Sequence, residues 1–186
     1  MNRREAVQSL GLLFGGSIIG GSAFLSGCKT STGNDMVFSQ EDIAYLNEIA
    51  ETILPATNTP GAKAANVGQF MTVMVNDCYT EADQKIFHAG MKKLDDEADK
   101  TYSSGFMKLD GAKRTEFLTK LDKEQKEYGK SKKKEDPNHF FTMMRQLTLL
   151  GYFTSEIGSK QARRYIETPG KYDACVPYTK GEKAWA

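Results

Sequence analysis

Histidine and cysteine are scarce in this chain, which has two histidines and three cysteines among 186 residues. Neither His88 nor His139 has a second ligand at metal spacing, and no His-Glu-x-x-His, Cys-x-x-Cys or Cys-x-x-Cys-His motif is present. The dense glycines lie only near the N-terminus and do not follow a strand, so no dinucleotide-binding fingerprint exists. We therefore expect no catalytic residue, metal or cofactor in this chain.

A strong charge of either sign and a β-strand pattern are also missing. The chain has 25 basic and 24 acidic side chains, which predicts no polyanionic partner such as nucleic acid. The basic residues 130–134 are flanked by Glu127, Glu135 and Asp136, so we interpret them as a solvated loop, with contact to anionic lipid headgroups as the alternative. Sustained alternation of apolar and polar residues is absent, which argues against a sheet.

The N-terminal residues have the pattern of an export signal. Arg3 and Arg4 precede an uncharged apolar run over residues 10–25, which is shorter than the roughly 20 residues that a spanning helix needs. The paired arginines point to the twin-arginine route, which exports folded proteins. Leu25-Ser26-Gly27-Cys28 resembles the lipobox of bacterial lipoproteins, which implies cleavage before Cys28 and acylation of its thiol. A retained membrane anchor is the alternative.

This pattern predicts three parts: a signal peptide over residues 1–27, a lipidated flexible spacer over 28–37, and a helical domain over 38–186. The expected location is the periplasmic side of a bacterial cell envelope, with a lipid anchor at Cys28. Cleavage leaves 159 residues, a size that suits one domain. Cys78 and Cys175 then remain as thiols; they could form a disulfide, stay as a buried and a surface thiol, or, for Cys175, bridge to another chain.

Apolar residues recur at helical spacing in several segments after the spacer, which predicts an all-α domain. Ser39 and Asp42 approximate a capping box before the first segment, which Pro55 closes. Thr80 repeats the cap signal before the third segment. Between them, residues 67–75 predict a short apolar helix.

Two further helices are predicted in the second half of the chain. Asp110 is expected to cap one, and Asp136-Pro137 to start the other. Residues 140–153 are apolar on more than one side, so this helix should be central or covered by a partner. After a last short helical stretch around residues 161–165, the aromatic and proline-bearing tail is not expected to be helical. The predicted fold is a single compact all-α domain of about five to six helices.

Three groups of residues match a known family in their order and spacing. They are Ile49-Ala-Glu-Thr-Ile-Leu-Pro55 with Thr59-Pro60-Gly61-Ala62, Leu150-Gly-Tyr-Phe-Thr-Ser155, and Tyr165 with Pro169-Gly170-Lys-Tyr172-Asp-Ala-Cys175-Val-Pro177. Behind a twin-arginine leader, they make the chain resemble the gluconate 2-dehydrogenase subunit 3 family over about residues 38–178. The members of that family are small subunits of membrane-associated flavin dehydrogenases that oxidise sugars and polyols.

The resemblance implies that the chemistry belongs to another chain. The large subunit would be a flavoprotein of the glucose-methanol-choline (GMC) oxidoreductase type that carries FAD, often with a cytochrome c subunit that passes electrons on. This chain would be a non-catalytic accessory subunit that docks on, stabilises and co-exports the dehydrogenase and tethers it to the membrane. A free-standing helical envelope lipoprotein, acting as a ligand-binding or scaffold module, is the alternative.

Aromatic and proline residues near the C-terminus are the candidates for the docking face, because such residues suit the core of an interface. The predicted face consists of Tyr152, Phe153, Tyr165, Pro169, Tyr172, Cys175, Val176, Pro177 and Tyr178. Alternatively, these residues cover the core of their own domain.

Overall fold

The computed structural model describes residues 37–185, in which a compact helical unit begins at Phe38. The elements are α1 (Gln40–Ile53), α2 (Val67–Cys78), α3 (Glu81–Tyr102), the 3₁₀ turn Phe106–Lys108, α4 (Gly111–Ser131), α5 (Phe140–Thr154) and the π-helical turn Gly158–Ala162. In this described part, the one β-type pairing is an isolated bridge between Arg164 and Trp185. The predicted all-α class and number of helices are confirmed.

Three predicted helix starts are confirmed. The hydroxyl of Ser39 accepts a hydrogen bond from the backbone N–H of Asp42, and the carboxylate of Asp42 accepts one from the N–H of Ser39. The side chains of Thr80 and Asp110 each accept a hydrogen bond from the backbone N–H three residues later. These side chains satisfy N–H groups that have no partner within the first helical turn.

The predicted start of α5 is wrong, because the helix begins three residues after Pro137. The carboxylate of Asp136 accepts a hydrogen bond from a backbone N–H three residues earlier, and the carbonyl of Pro137 accepts one from the hydroxyl of Tyr128 at 2.9 Å. Both residues are therefore held in the preceding loop. His139 takes the capping role, since its Nδ1 accepts a hydrogen bond from the N–H of Phe141 at 3.2 Å.

Helix α5 is the centre of the domain, where it contacts the other four α-helices and the π-helical turn. Its buried residues point in several directions; they are Phe140, Phe141, Met143, Met144, Leu147, Thr148, Gly151 and Tyr152. Of the two predictions for this helix, the central position is the one the structure shows. The other helices each contribute one apolar stripe, which includes Leu46, Ile49, Met71, Val75, Phe87, Leu94, Phe117 and Leu121.

The last helical stretch differs from the prediction. The π-helical turn ends at Ala162 and the chain is extended at Arg163, whereas helical structure was expected around residues 161–165. The N–H of Arg164 donates to the carbonyl of Ala184 at 2.8 Å, a distant residue. Because this N–H is used outside the helical turn, the turn stops and the tail begins.

Candidate docking surface

The C-terminal tail, residues 165–178, lies entirely on the surface. Tyr172 is 92% exposed and Tyr178 is 80% exposed, and neither belongs to the hydrophobic core. Among the described residues, ten large apolar or aromatic side chains are exposed, and six of these lie between residues 165 and 185. A concentration of exposed apolar side chains of this kind is typical of an interaction site. The tail therefore does not cover the core of its own domain.

Two residues of the predicted docking face lie apart from this tail. Tyr152 is only 4% exposed, and its hydroxyl donates a hydrogen bond to the carbonyl of Pro60 at 2.6 Å. Tyr152 is thus a core residue and cannot contact a partner in this conformation. Phe153 is half-buried, packs edge-on against Tyr152 and lies under the guanidinium of Arg163. The remaining predicted residues all lie in the exposed tail; they are Tyr165, Pro169, Tyr172, Cys175, Val176, Pro177 and Tyr178.

Two arginines that sequence reasoning missed hold the tail to the helical body. Arg163 donates a hydrogen bond to the carbonyl of Phe153 and covers its ring at 5.4 Å. The guanidinium of Arg164 lies 4.3 Å from the ring centre of Trp185 and 3.7 Å from the carboxylate of Glu182. The available sequence signal was weak, consisting of a basic pair after a helical stretch and a single tryptophan far along the chain.

The two described cysteines are not bonded to each other. Cys78 at the end of α2 and Cys175 in the tail are both free and exposed. The interpretation of Cys78 as a buried thiol is therefore wrong. Cys78 is the last residue of its helix, three positions beyond Val75, which is the last buried residue of that helix.

A second surface feature is an open groove of about 500 Å³ between α1 and α3. Its lining consists of Glu41, Asp42, Ala44, Tyr45, His88, Met91, Lys92, Asp95 and Met107. The hydroxyl of Tyr45 is buried and has no hydrogen-bond partner among the described residues. Burial, with the nearby carboxylates of Asp95 and Asp96, raises the pKa of Tyr45 above its ordinary value.

The two histidines have different contacts. His88 stacks on Phe38 with ring centres 4.2 Å apart, while His139 caps α5. No group of three or more His, Cys, Asp or Glu side chains in residues 37–185 could hold a metal ion.

No described helix combines the length and the apolar character that crossing a bilayer requires. Arg3, Arg4 and Cys28 lie outside the described residues, as do nearly all of the predicted signal and spacer. The export signal, its cleavage and the lipid attachment therefore stay predictions.

The described features define a class of protein: a small all-α domain in which six of the ten large exposed apolar or aromatic side chains of the described residues lie between residues 165 and 185. The family model for gluconate 2-dehydrogenase subunit 3 matches residues 40–170, which is more than two thirds of the chain. The chain belongs to the gluconate 2-dehydrogenase subunit 3 family. Membership indicates a dehydrogenase subunit that associates with a larger complex. Searches of curated proteins and of solved structures found no significant match.

The family match has a boundary that bears on the docking surface. It includes Tyr165 and Pro169 but ends at residue 170, before Tyr172 and Tyr178. The two most exposed tyrosines of the tail therefore lie outside the matched segment.

Proposed function

We propose that this chain is a non-catalytic accessory subunit that docks on, stabilises and co-exports an FAD-dependent GMC-type sugar or polyol dehydrogenase. The observation that carries the proposal is the exposure of Tyr172 and Tyr178 in a tail that does not pack on the core of its own domain. A helical body that is already closed around α5 gains nothing from these side chains, whereas a partner that covers them removes apolar surface from water.

The composition of the tail supports an interface of the subunit type. Residues 165–179 carry only three charged side chains, Glu167, Lys171 and Asp173, among several aromatic and proline residues. Interface cores are depleted of charge and enriched in tyrosine, and tyrosine contributes large contact areas with few rotatable bonds. The partner is then the larger flavoprotein of the complex, and a cytochrome c subunit completes the electron path.

Export and attachment belong to the same proposal and rest on the leader sequence. Arg3 and Arg4 direct the folded route, so the partner can load FAD in the cytoplasm and cross with this chain. Acyl chains on Cys28 then hold the complex at the periplasmic side of the membrane, because two or more acyl chains give stable attachment. Replacing both arginines by lysine should stop export of both subunits; continued export of the pair would contradict the folded route.

Affinity isolation from the native envelope tests the central claim. Mild detergent extraction of the tagged chain should recover a larger yellow protein with flavin absorbance, which mass spectrometry then identifies. Recovery of this chain alone, colourless and monomeric at native expression levels, would contradict the proposal.

A paired variant locates the interface. Tyr172→Ser with Tyr178→Ser should abolish recovery of the flavoprotein while leaving the thermal midpoint of the isolated subunit unchanged, since both side chains are exposed. Met107→Ala is the matched control, because Met107 is also an exposed apolar residue, 43% exposed, but lies in the 3₁₀ turn. Equal recovery with the paired variant and the control would place the interface elsewhere.

The groove between α1 and α3 favours one second candidate function, that of a free-standing envelope lipoprotein that binds a small ligand or scaffolds a complex. Its lining combines Met91 and Met107 with the carboxylates of Glu41 and Asp95. Under this alternative, the native protein is isolated without a flavoprotein and Met107→Ala alters ligand retention, while the paired tyrosine variant has no effect.

A further inference from the structure

Contacts of Arg164 with residues 182–185 close the C-terminal tail into a loop. The backbone N–H of Arg164 donates to the carbonyl of Ala184 at 2.8 Å, and the guanidinium of Arg164 lies over the ring of Trp185 at 4.3 Å. Glu182 adds a carboxylate 3.7 Å from the same guanidinium, and the ammonium of Lys183 donates to the carbonyl of Gln161. The chain thus returns to the end of the helical body after about 20 residues.

Inside the loop, the polar contacts that the structure describes are local ones. The carboxylate of Asp173 lies 3.8 Å from the ammonium of Lys171 and accepts a hydrogen bond from the N–H of Cys175 at 3.3 Å. The residues between Arg164 and Thr179 form no helix or strand. Because no regular structure fixes this segment, its shape depends on the contacts that close it.

We propose that Arg164 and Trp185 form a clasp that preorganises residues 165–178 as a docking loop for a largely uncharged, apolar surface of the large subunit. This inference rests on the proposed function, since that function supplies the occupant. A loop whose ends are already joined loses less conformational freedom on binding than an open tail of the same length.

The chemistry of the loop specifies the kind of surface that it fits. Tyr172, Val176 and Tyr178 present apolar area and two hydroxyl groups, and few charges lie between them. The complementary surface is therefore apolar with hydrogen-bond acceptors for the hydroxyls. Because few ion pairs would cross such an interface, its affinity should change little between low and high salt.

The clasp can be tested without the partner, because Trp185 is the only tryptophan of the chain. In the processed subunit, purified in detergent, Arg164→Ala should shift the Trp185 emission to longer wavelength and increase its quenching by acrylamide. Lys171→Ala is the matched control, since it removes a cation of the same loop that pairs only locally, with Asp173. Unchanged emission and quenching in Arg164→Ala would overturn the clasp.

The docking role needs a second measurement, the affinity of each variant for the isolated flavoprotein. Arg164→Ala should weaken binding about tenfold through the restored freedom of the loop, while Lys130→Ala, which removes an exposed cation of α4 outside the loop, should bind as the unaltered subunit does. Arg164→Lys keeps the positive charge beside Glu182 but loses the planar stacking on Trp185, so its affinity should fall between the two. Circular dichroism of each variant confirms that the helical body is folded.

The outcomes separate this inference from the proposed function. If Arg164→Ala changes the Trp185 fluorescence but not the affinity, the clasp does not preorganise docking, and the accessory role stands. If the unaltered subunit binds no flavoprotein, the proposed function fails and the docking loop fails with it, whatever the fluorescence shows. A strong loss of affinity at high salt would also overturn the uncharged interface.

Discussion

The guanidinium of Arg114 on α4 pairs with the carboxylate of Glu48 on α1 at 2.6 Å, although the two residues are 66 positions apart in the chain. Both side chains are more than four-fifths buried. Glu48 also pairs with Lys63 in the segment before α2, and Arg114 donates to the carbonyls of Phe106 and Met107. Together, the contacts of Glu48 and Arg114 therefore connect two helices, a loop and the 3₁₀ turn.

The pairing of Glu48 makes stability depend on pH in the acid range. Hydrogen bonds from Lys63 and Arg114 lower the pKa of Glu48 below its ordinary value of 4.5. The unfolded chain therefore binds the proton more tightly, so the stabilisation is present above about pH 4.5 and is lost as pH falls through the lowered pKa. Glu48→Gln should reduce the free energy of unfolding by about 1–2 kcal/mol at neutral pH and flatten this acid dependence.

The control for Glu48 is Glu127→Gln, which removes a carboxylate paired with Lys130 where both side chains are 72% exposed. Such a surface pair should contribute nothing measurable. Urea unfolding at pH 7 and at pH 4 checks both variants, and equal effects of the two substitutions would refute the structural importance of the Glu48 pair.

His139 should make the domain less stable in mild acid. Burial, with the nearby Lys93, lowers the pKa of His139, while Glu124 and Glu97 act in the opposite direction. The neutral imidazole is required, because its Nδ1 accepts the capping hydrogen bond of α5. Since the unfolded chain holds the proton more tightly, stability should fall as pH decreases through about 6.5 and level off below the lowered pKa.

Replacement of His139 by asparagine separates the cap from the titration. Asparagine also caps helices well but does not titrate, so His139→Asn should remove the stability change between about pH 7 and pH 5 that His139 causes. Thermal unfolding across this range, compared with the unaltered protein, gives the measurement. Identical pH slopes for the two proteins would exclude His139 as the source.

Replacement of Gly90 and of Gly129 by alanine should change the stability of the domain in opposite directions. A β-carbon on Gly90 of α3 would overlap the side chain of Phe140, whereas one on Gly129 of α4 would meet nothing within 4 Å. Gly90→Ala should therefore destabilise the domain by about 1–3 kcal/mol, because α3 and α5 must move apart. Gly129→Ala should stabilise it by up to about 1 kcal/mol through the better helix propensity of alanine. Denaturant unfolding of both variants would show whether the signs differ as expected.

The hydroxyl of Tyr152 should matter for stability and that of Tyr172 should not. Tyr152→Phe removes the hydrogen bond to the carbonyl of Pro60 inside the domain and should cost about 1–2 kcal/mol. Tyr172→Phe alters a hydroxyl on a side chain that is 92% exposed, so the thermal midpoint should not change. A similar loss in both variants would contradict the core position of Tyr152.

Lipid attachment predicts a change of cell fraction. If Cys28 is acylated, Cys28→Ala in cells that lack the large subunit should move the chain from the membrane fraction to the periplasmic extract. Cys78→Ala is the matched control and should leave the chain in the membrane fraction, because Cys78 lies in the helical domain. Persistence of Cys28→Ala in the membrane fraction would argue against a lipid anchor.

Local signals in the sequence predicted much of the fold. The caps at Ser39, Thr80 and Asp110 and the burial of residues 140–153 were readable, because capping and helical periodicity involve residues only three or four positions apart. The start of α5 could not be predicted from such local signals. Asp136 and His139 are both able to cap a helix, and the loop contact of Pro137 with Tyr128 decides between them.

The sequence also predicted only part of the candidate docking surface. The tail was recognised from its aromatic and proline residues, and family membership was recognised from the order of three short segments. Sequence alone could not separate Tyr152 in the core from Tyr172 on the surface, since the burial of each side chain depends on contacts with segments that are distant in the chain. It also did not reveal Arg163 and Arg164 as the residues that hold the tail.

The sequence by itself determined the helical class, most helix boundaries and the family, because these depend on patterns within a few turns of the chain. The tertiary structure alone decided which side chains are exposed, how Glu48 meets Arg114 and how Trp185 returns to Arg164. Contacts between residues that are 21 or 66 positions apart leave no periodic signal in a sequence. They exist only once the packing around α5 has brought distant segments together.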